Sequence, residues 1–216
     1  MKVLINRLYK RNILHSQLVL AIGFALSLLA FRIYVTHSFF YSFLVWNLFL
    51  AAVPYLITQG FKNLLWALRG RWKVLVFGLW LLFLPNSPYI ITDLVHLHNE
   101  RSVLLWYDLF LVFVFALTGL VLGLLSMLDI YKVLAVRFSS RMAEVALFPI
   151  CLLCGFGIYM GRFLRFNSWD VFSKPLTLFS EITASIQEPK AWFMTLGFGG
   201  FIWVLFVLVR SLALRK

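Results

Sequence analysis

The most informative segment of the chain is LPNSPYIITDLVHLH, residues Leu84–His98. It starts inside a long apolar run and ends in polar residues. Pro85 has no amide hydrogen and its ring clashes with the preceding helical turn, so a helix entering this stretch is expected to kink or break there. Ser87 followed by Pro88 resembles a helix N-cap with proline in the first helical position, which predicts a second half-helix ending near His98.

The composition around this stretch is that of a membrane protein. The 216 residues are 62% hydrophobic and only 13% charged, with a mean hydropathy of +0.92, whereas a soluble domain carries about 25% charged residues. Several apolar runs reach the roughly 20 residues that cross a bilayer. Each run must satisfy its own backbone hydrogen bonds in lipid, so the sequence predicts an all-α integral membrane bundle in contact with the lipid bilayer.

Six apolar runs predict six transmembrane helices in a single transmembrane domain, residues 1–216. The expected helices are residues 18–36, 39–59, 72–92, 104–127, 143–161 and 192–209, with an outer loop at residues 162–190. Residues 174–187 of that loop have the apolar spacing of a short amphipathic helix, although a plain loop is an equal alternative. Asn47 lies inside the second run and needs a hydrogen-bond partner on a neighbouring helix. Arg32 lies near the end of the first run and is expected to snorkel outward.

The formal charge of +12 comes from Lys and Arg residues in short clusters between the apolar runs. These clusters occupy both termini and the even-numbered loops, including an expected loop that holds Asp129 and Lys132. This bias predicts that both termini are cytoplasmic. It also argues against a nucleic-acid partner, because the charges follow membrane topology rather than forming a basic patch.

Ionisable residues collect at the predicted outer ends of helices three to five. On a helical continuation of the third run, Tyr89, Asp93 and His96 share one face, and Asp108 at the start of the fourth run is expected to approach them. Carboxylate and imidazole groups suit a divalent metal ion such as zinc. Two carboxylates and one histidine also suit acid–base catalysis if their pKa values diverge.

Two other interpretations remain open. Arg162 and Arg165, one turn apart and followed by Asn167, would clasp an anionic head group or a pyrophosphate. Alternatively, Asp93 or Asp108 pairs with one of these arginines and simply ties helices together. The chain has no G-x-S-x-G, H-E-x-x-H or Walker sequence. A serine, zincin-type or nucleotide-driven mechanism therefore has no support.

Two G-x-x-x-G spacings, Gly119–Gly123 and Gly157–Gly161, allow helices to approach closely. They are compatible with contacts inside one chain or with a homo-oligomer. Cys151 and Cys154 lie within an apolar run and are interpreted as small packing residues. The sequence names no cofactor.

The segments LPNSPYIITDLVHL, WYDLFLVFVFALTGLVLG and GFGIYMGRFLRFNSWD together resemble a family of bacterial multi-pass membrane proteins, domain of unknown function family 1361. The resemblance runs from about Trp46 to Asp170. It implies an integral membrane location in the bacterial plasma (inner) membrane and carries no established activity. The matching residues predicted to be structural are Pro85, Asn86, Pro88, Tyr89, Trp169 and Asp170.

The function most consistent with the sequence is binding of an anionic lipid or envelope precursor in a polar pocket at the outer face. In this hypothesis Arg162 and Arg165 hold the anion while Asp93, His96 and Asp108 orient or activate it. The alternatives are a metal-assisted hydrolase or transferase, a structural or assembly subunit, and a small transporter. Whether the protein is an enzyme is left open at this point.

Overall fold

The computed structural model describes residues 2–61, 71–99 and 104–214, and the described residues form helices and connecting turns without strands. The α-helices are α1 (Lys2–Thr36), α2 (Phe43–Phe61), α3 (Arg71–Phe83), α4 (Asn86–Tyr89), α5 (Leu105–Arg137), α6 (Ser140–Phe163), α7 (Asp170–Ser173), α8 (Pro175–Ser185) and α9 (Pro189–Leu214), and the segments Phe40–Ser42 and Ile90–Asn99 are 3-10 helices. Six of the described helical segments are long and apolar enough to cross a membrane. The predicted all-α bundle of six spans is therefore confirmed.

Several helices extend beyond their predicted bounds. α1 starts at Lys2 rather than near residue 18, and α5 continues to Arg137 rather than ending near residue 127. Asp129 and Lys132 therefore lie on α5, and their placement in a loop was wrong. Asp129 is buried, and it accepts a hydrogen bond of 2.7 Å from the side-chain amide of Gln59. This hydrogen bond gives the buried Asp129 carboxylate a polar partner within the apolar span.

The third span breaks where its prolines predicted. α3 ends at Phe83, α4 forms a single turn, and the chain continues as the 3-10 helix Ile90–Asn99. The predicted N-cap role of Ser87 was wrong, because its hydroxyl donates to the carbonyl of Ala51 on α2 at 2.9 Å. Pro85 stands before α4 in helical geometry and provides no side-chain cap. The break is thus stabilised by a neighbouring helix rather than by its own cap.

Both G-x-x-x-G pairs pack against this break. The glycines that face it are Gly119, Gly123, Gly157 and Gly161. A Cβ atom on Gly123 would lie 2.6 Å from the Cβ of Ser87, and one on Gly157 would lie 2.6 Å from the Cγ of Pro85. Real Cβ atoms do not approach other atoms so closely. The broken segment can therefore pack between α5 and α6 only because these positions are glycines.

α5 is the central helix of the bundle. More than half of its most apolar stretch is buried, whereas 22% is buried in the first and last spans. On one side, Phe115 of α5 packs in a cluster with residues of α1 and α2. On the other side, Met127 packs with residues of α3, α6 and α9, including Phe206. The broken span lies between these two clusters and contributes to both.

Candidate functional site at the polar end

We call one end of the bundle the polar end. α1 and α6 end there, and α2, α5 and α9 begin there. The third span also reaches this end through its 3-10 segment. The polar contacts that join these helices define it: α1 meets α5 there, and the 3-10 segment meets α2 and α6. Two separate arrangements lie at this end, a charge cluster and a cavity.

The charge cluster consists of Asn47, Asp93, His96 and Arg162, and Asp93 is its one buried member. Asp93 is 1% exposed; it accepts hydrogen bonds from Asn47 Nδ2 at 2.8 Å and from Arg162 Nη1 at 3.2 Å. The same Nη1 atom lies 3.3 Å from His96 Nε2. Because a guanidinium group only donates, a hydrogen bond at this contact requires the His96 tautomer with its proton on Nδ1. The cluster therefore satisfies a buried carboxylate with partners from two other helices.

The 3-10 geometry changes which residues share a face. With three residues per turn, Asp93 and His96 lie on one side of the segment, and their Oδ1 and Nε2 atoms are 3.9 Å apart. Tyr89 lies on α4 instead, and its ring packs against Gly161 where a side chain would otherwise stand. The expected shared face of Tyr89, Asp93 and His96 was therefore wrong, since it assumed 3.6 residues per turn.

Asp108 does not join the cluster. Its two carboxylate oxygens accept from Arg32, Nε to Oδ1 at 3.0 Å and Nη2 to Oδ2 at 3.1 Å. Arg32 is only 5% exposed, so the expectation that it snorkels outward was also wrong. Within residues 2–61, 71–99 and 104–214, no three His, Cys, Asp or Glu side chains form a group that could hold a metal ion. The predicted trio of Asp93, His96 and Asp108 is not assembled.

Arg162 and Arg165 also lie in different surroundings. α6 ends at Phe163, and Arg165 adopts a left-handed conformation with φ of 58°. Such a conformation is costly for a residue other than glycine and often marks a functional position. This turn separates the two side chains: Arg162 pairs with Asp93, whereas Arg165 lines the cavity. The expected joint clasp by both arginines is not formed.

The cavity has a volume of about 500 Å³, within the usual range of small-molecule pockets. It lies between α2, the broken third span and α6, and α8 contributes Leu178 and Ile182. Most of its walls are apolar. The lining residues that carry polar side-chain atoms are Trp46, Asn47, Asn86, Tyr89, Arg165, Asn167 and Ser168. Among the described lining residues Arg165 is the only charged one, and its exposed side chain makes no hydrogen bond or ion pair with the described part of the chain.

A hydrogen-bonded turn forms the polar rim of this cavity. Asn86 Nδ2 donates to Ser168 Oγ at 3.0 Å and to the carbonyl of Phe83 at 2.9 Å. Ser168 Oγ in turn donates to the carbonyl of Leu82 at 3.2 Å. These bonds attach the chain after α6 to the end of α3, which explains why the rim depends on the break in the third span.

Asp170 closes the same turn. Its Oδ2 atom accepts from the backbone N–H of Asn167 at 2.7 Å, and its Oδ1 atom accepts from the Ser173 hydroxyl at 2.9 Å. The backbone donor first, and then the hydroxyl, hold the pKa of Asp170 below its usual value. Trp169 beside it contacts Trp46 of α2 with ring centroids 6.4 Å apart. Pro88, in contrast, is buried in the break itself.

Sequence reasoning missed two residues of the polar end. Arg32 is an arginine inside an apolar run, and such a residue almost always has an acidic partner, which is a signal that was available. Ser168 had no such signal, because only the folded turn brings it to Asn86. The partner expected for Asn47 is confirmed as Asp93.

The fold and the polar end define an integral membrane protein of six helical spans with buried ion pairs and an amphiphilic cavity at one end. The chain belongs to the family described as a protein of unknown function (DUF1361), whose family model matches residues 46–205. The match includes every described residue that lines the cavity, but not α1 with Arg32. No curated protein and no solved structure matches the chain.

Proposed function

We propose that this protein binds an anionic amphiphile, a lipid or a lipid-linked envelope precursor, in the cavity at the polar end. The observation that carries this proposal is the position of Arg165, the only charged residue among the described lining residues. An arginine without a partner among the described residues, placed beside apolar walls, matches a ligand with an anionic head and a hydrocarbon chain. A guanidinium group presents paired donors that suit phosphate oxygens.

In this proposal the apolar walls take the chain of the ligand. α8 contributes Leu178 and Ile182 to the cavity, while Leu176 and Phe179 on other sides of the same helix are 86% and 69% exposed. A helix with apolar side chains on several sides suits a position between the cavity and the lipid surface. The ligand would then enter from the bilayer, beneath or beside α8.

Asp93 and Asp108 act indirectly in this proposal. Each holds an arginine of the polar end, Arg162 and Arg32 respectively, and neither lines the cavity. They and His96 are positioning residues, so the activating role predicted for them is not part of this mechanism. We place the protein in a bacterial inner membrane with both termini in the cytoplasm, which puts the cavity at the outer face.

The test measures lipid binding by the purified protein in a neutral detergent. Phosphatidylglycerol is titrated, and bound lipid is counted by native mass spectrometry. Arg165→Gln is expected to weaken the first binding event about tenfold or more, because it removes a charge-assisted hydrogen bond. Arg141→Gln is the matched control, since Arg141 is an exposed arginine at the opposite end of α6. Equal affinity in both variants and in the unaltered protein would contradict the proposal.

A further inference from the structure

We propose that the cavity selects a head group with a single negative charge, of the phosphodiester type, that also carries an uncharged hydroxyl group, and that it discriminates against a diphosphate. This inference rests on the proposed function and narrows its ligand. It separates the two ligand classes left open above, because a single phosphodiester group carries one negative charge and a diphosphate-linked precursor carries at least two.

The first argument is the charge available to the ligand. Arg165 is the only cation among the described residues that line the cavity. Arg162, three positions earlier, is bonded to Asp93 at 3.2 Å and does not line the cavity. A second anionic charge in the cavity would therefore lack a cation among the described lining residues, and an anionic charge held against apolar walls without a cation is disfavoured.

The second argument is the direction of α6. This helix ends at Phe163, so its last carbonyl groups and the negative end of its dipole lie beside Arg165. Gly161 in that last turn lines the cavity itself. One arginine compensates one anionic charge at this position, whereas an additional charge would be repelled by the helix terminus.

The third argument concerns the neutral groups of the rim. The amide nitrogen of Asn86 is already bonded to Ser168 and to the carbonyl of Phe83. Its Oδ1 atom accepts no hydrogen bond from the described residues, which leaves a free acceptor on a side chain that lines the cavity. The hydroxyl of Ser168 is likewise committed to the carbonyl of Leu82. In this proposal the free acceptor of Asn86 pairs with a ligand hydroxyl group, and it offers nothing to a second phosphate.

The experiment compares three lipids with identical acyl chains: phosphatidylglycerol, diacylglycerol pyrophosphate and phosphatidylcholine. Each is titrated into the unaltered protein and into Arg165→Gln, and bound lipid is counted by native mass spectrometry. Phosphatidylglycerol is expected to bind at least about tenfold more tightly than either of the others, with the difference lost in Arg165→Gln. This pattern would support both proposals.

The other outcomes separate the two proposals. Equal or tighter binding of the pyrophosphate lipid that depends on Arg165 would overturn the single-charge inference and leave the proposed function intact. Binding that is unaffected by Arg165→Gln for all three lipids would overturn both.

A gain-of-function variant tests the charge argument directly. Val171 lines the cavity and is 38% exposed, so Val171→Lys adds a second cation without removing a hydrogen bond. It is expected to strengthen binding of the pyrophosphate lipid about tenfold relative to phosphatidylglycerol. Phe172→Lys is the control, because Phe172 is its exposed neighbour on α7 and does not line the cavity. An equal change in both variants, or no change in a folded Val171→Lys protein, would overturn the charge argument.

Discussion

Arg32 and Asp108, 76 positions apart, form an ion pair with two hydrogen bonds of 3.0 and 3.1 Å. The pair joins α1 to the start of α5 and is almost fully shielded, with Asp108 0% exposed. Arg32 also donates to the hydroxyl of Thr36 and lies over the ring of Tyr41. This contact fixes the rotation of α1, a helix whose remaining interactions are mostly apolar.

Removing one partner of this pair should destabilise the protein more than removing both. Asp108→Ala leaves the Arg32 guanidinium buried without its carboxylate, which should cost about 3 kcal/mol. The double variant Arg32→Met with Asp108→Leu should recover much of this loss. Thermal unfolding of the three proteins in detergent checks the prediction. A double variant that is no more stable than Asp108→Ala would contradict the prediction.

The close approach of the broken span predicts a strong position dependence of glycine substitutions. Gly123→Ala places a methyl group against Ser87 and should lower stability by about 1–3 kcal/mol through overpacking. Gly197→Ala on α9 is the matched control, because nothing lies within 4 Å of its added Cβ. The unfolding temperatures of the two variants test this prediction. Similar effects at both positions would contradict the proposed packing of the break against α5.

Arg162 and Arg165 should separate stability from ligand binding. Arg162→Ala leaves Asp93, which is 1% exposed, without its cation, so the unfolding temperature should fall. Arg165→Ala removes an exposed side chain, so stability should change by no more than about 0.5 kcal/mol. Phosphatidylglycerol affinity should fall only in Arg165→Ala. A loss of affinity in a folded Arg162→Ala protein with normal binding by Arg165→Ala would reverse these assignments.

The lowered pKa of Asp170 predicts that acid weakens the turn that this residue closes. Its pKa is lowered in the folded protein, so its contribution to stability is fully present above about pH 4 and is lost as the pH falls through the lowered folded pKa. Protection of the Asn167 amide against hydrogen exchange, corrected for the intrinsic rate, should therefore fall below about pH 4. Asp170→Asn provides the control, because its amide does not titrate and should give weaker protection without this pH dependence. Protection in the unaltered protein that stays constant through this range would refute the role of Asp170.

Much of the architecture could be predicted because it depends on local sequence. The length of the apolar runs determined the number of spans, since each run must cross the bilayer as a helix. Pro85 determined where the third span breaks, because its ring excludes the preceding helical turn. The need of Asn47 for a partner also followed from its position inside an apolar run.

The contents of the candidate site depended on tertiary structure. The change to 3-10 geometry after α4 moved Tyr89 away from Asp93, and the left-handed turn at Arg165 separated it from Arg162. Each change is a small rotation about the chain, yet it decides which helix a side chain faces. Composition and spacing therefore determined a six-span bundle with a polar end. Only the packing of helices decided that Asp108 meets Arg32 and that Arg165 alone carries charge among the described residues of the cavity.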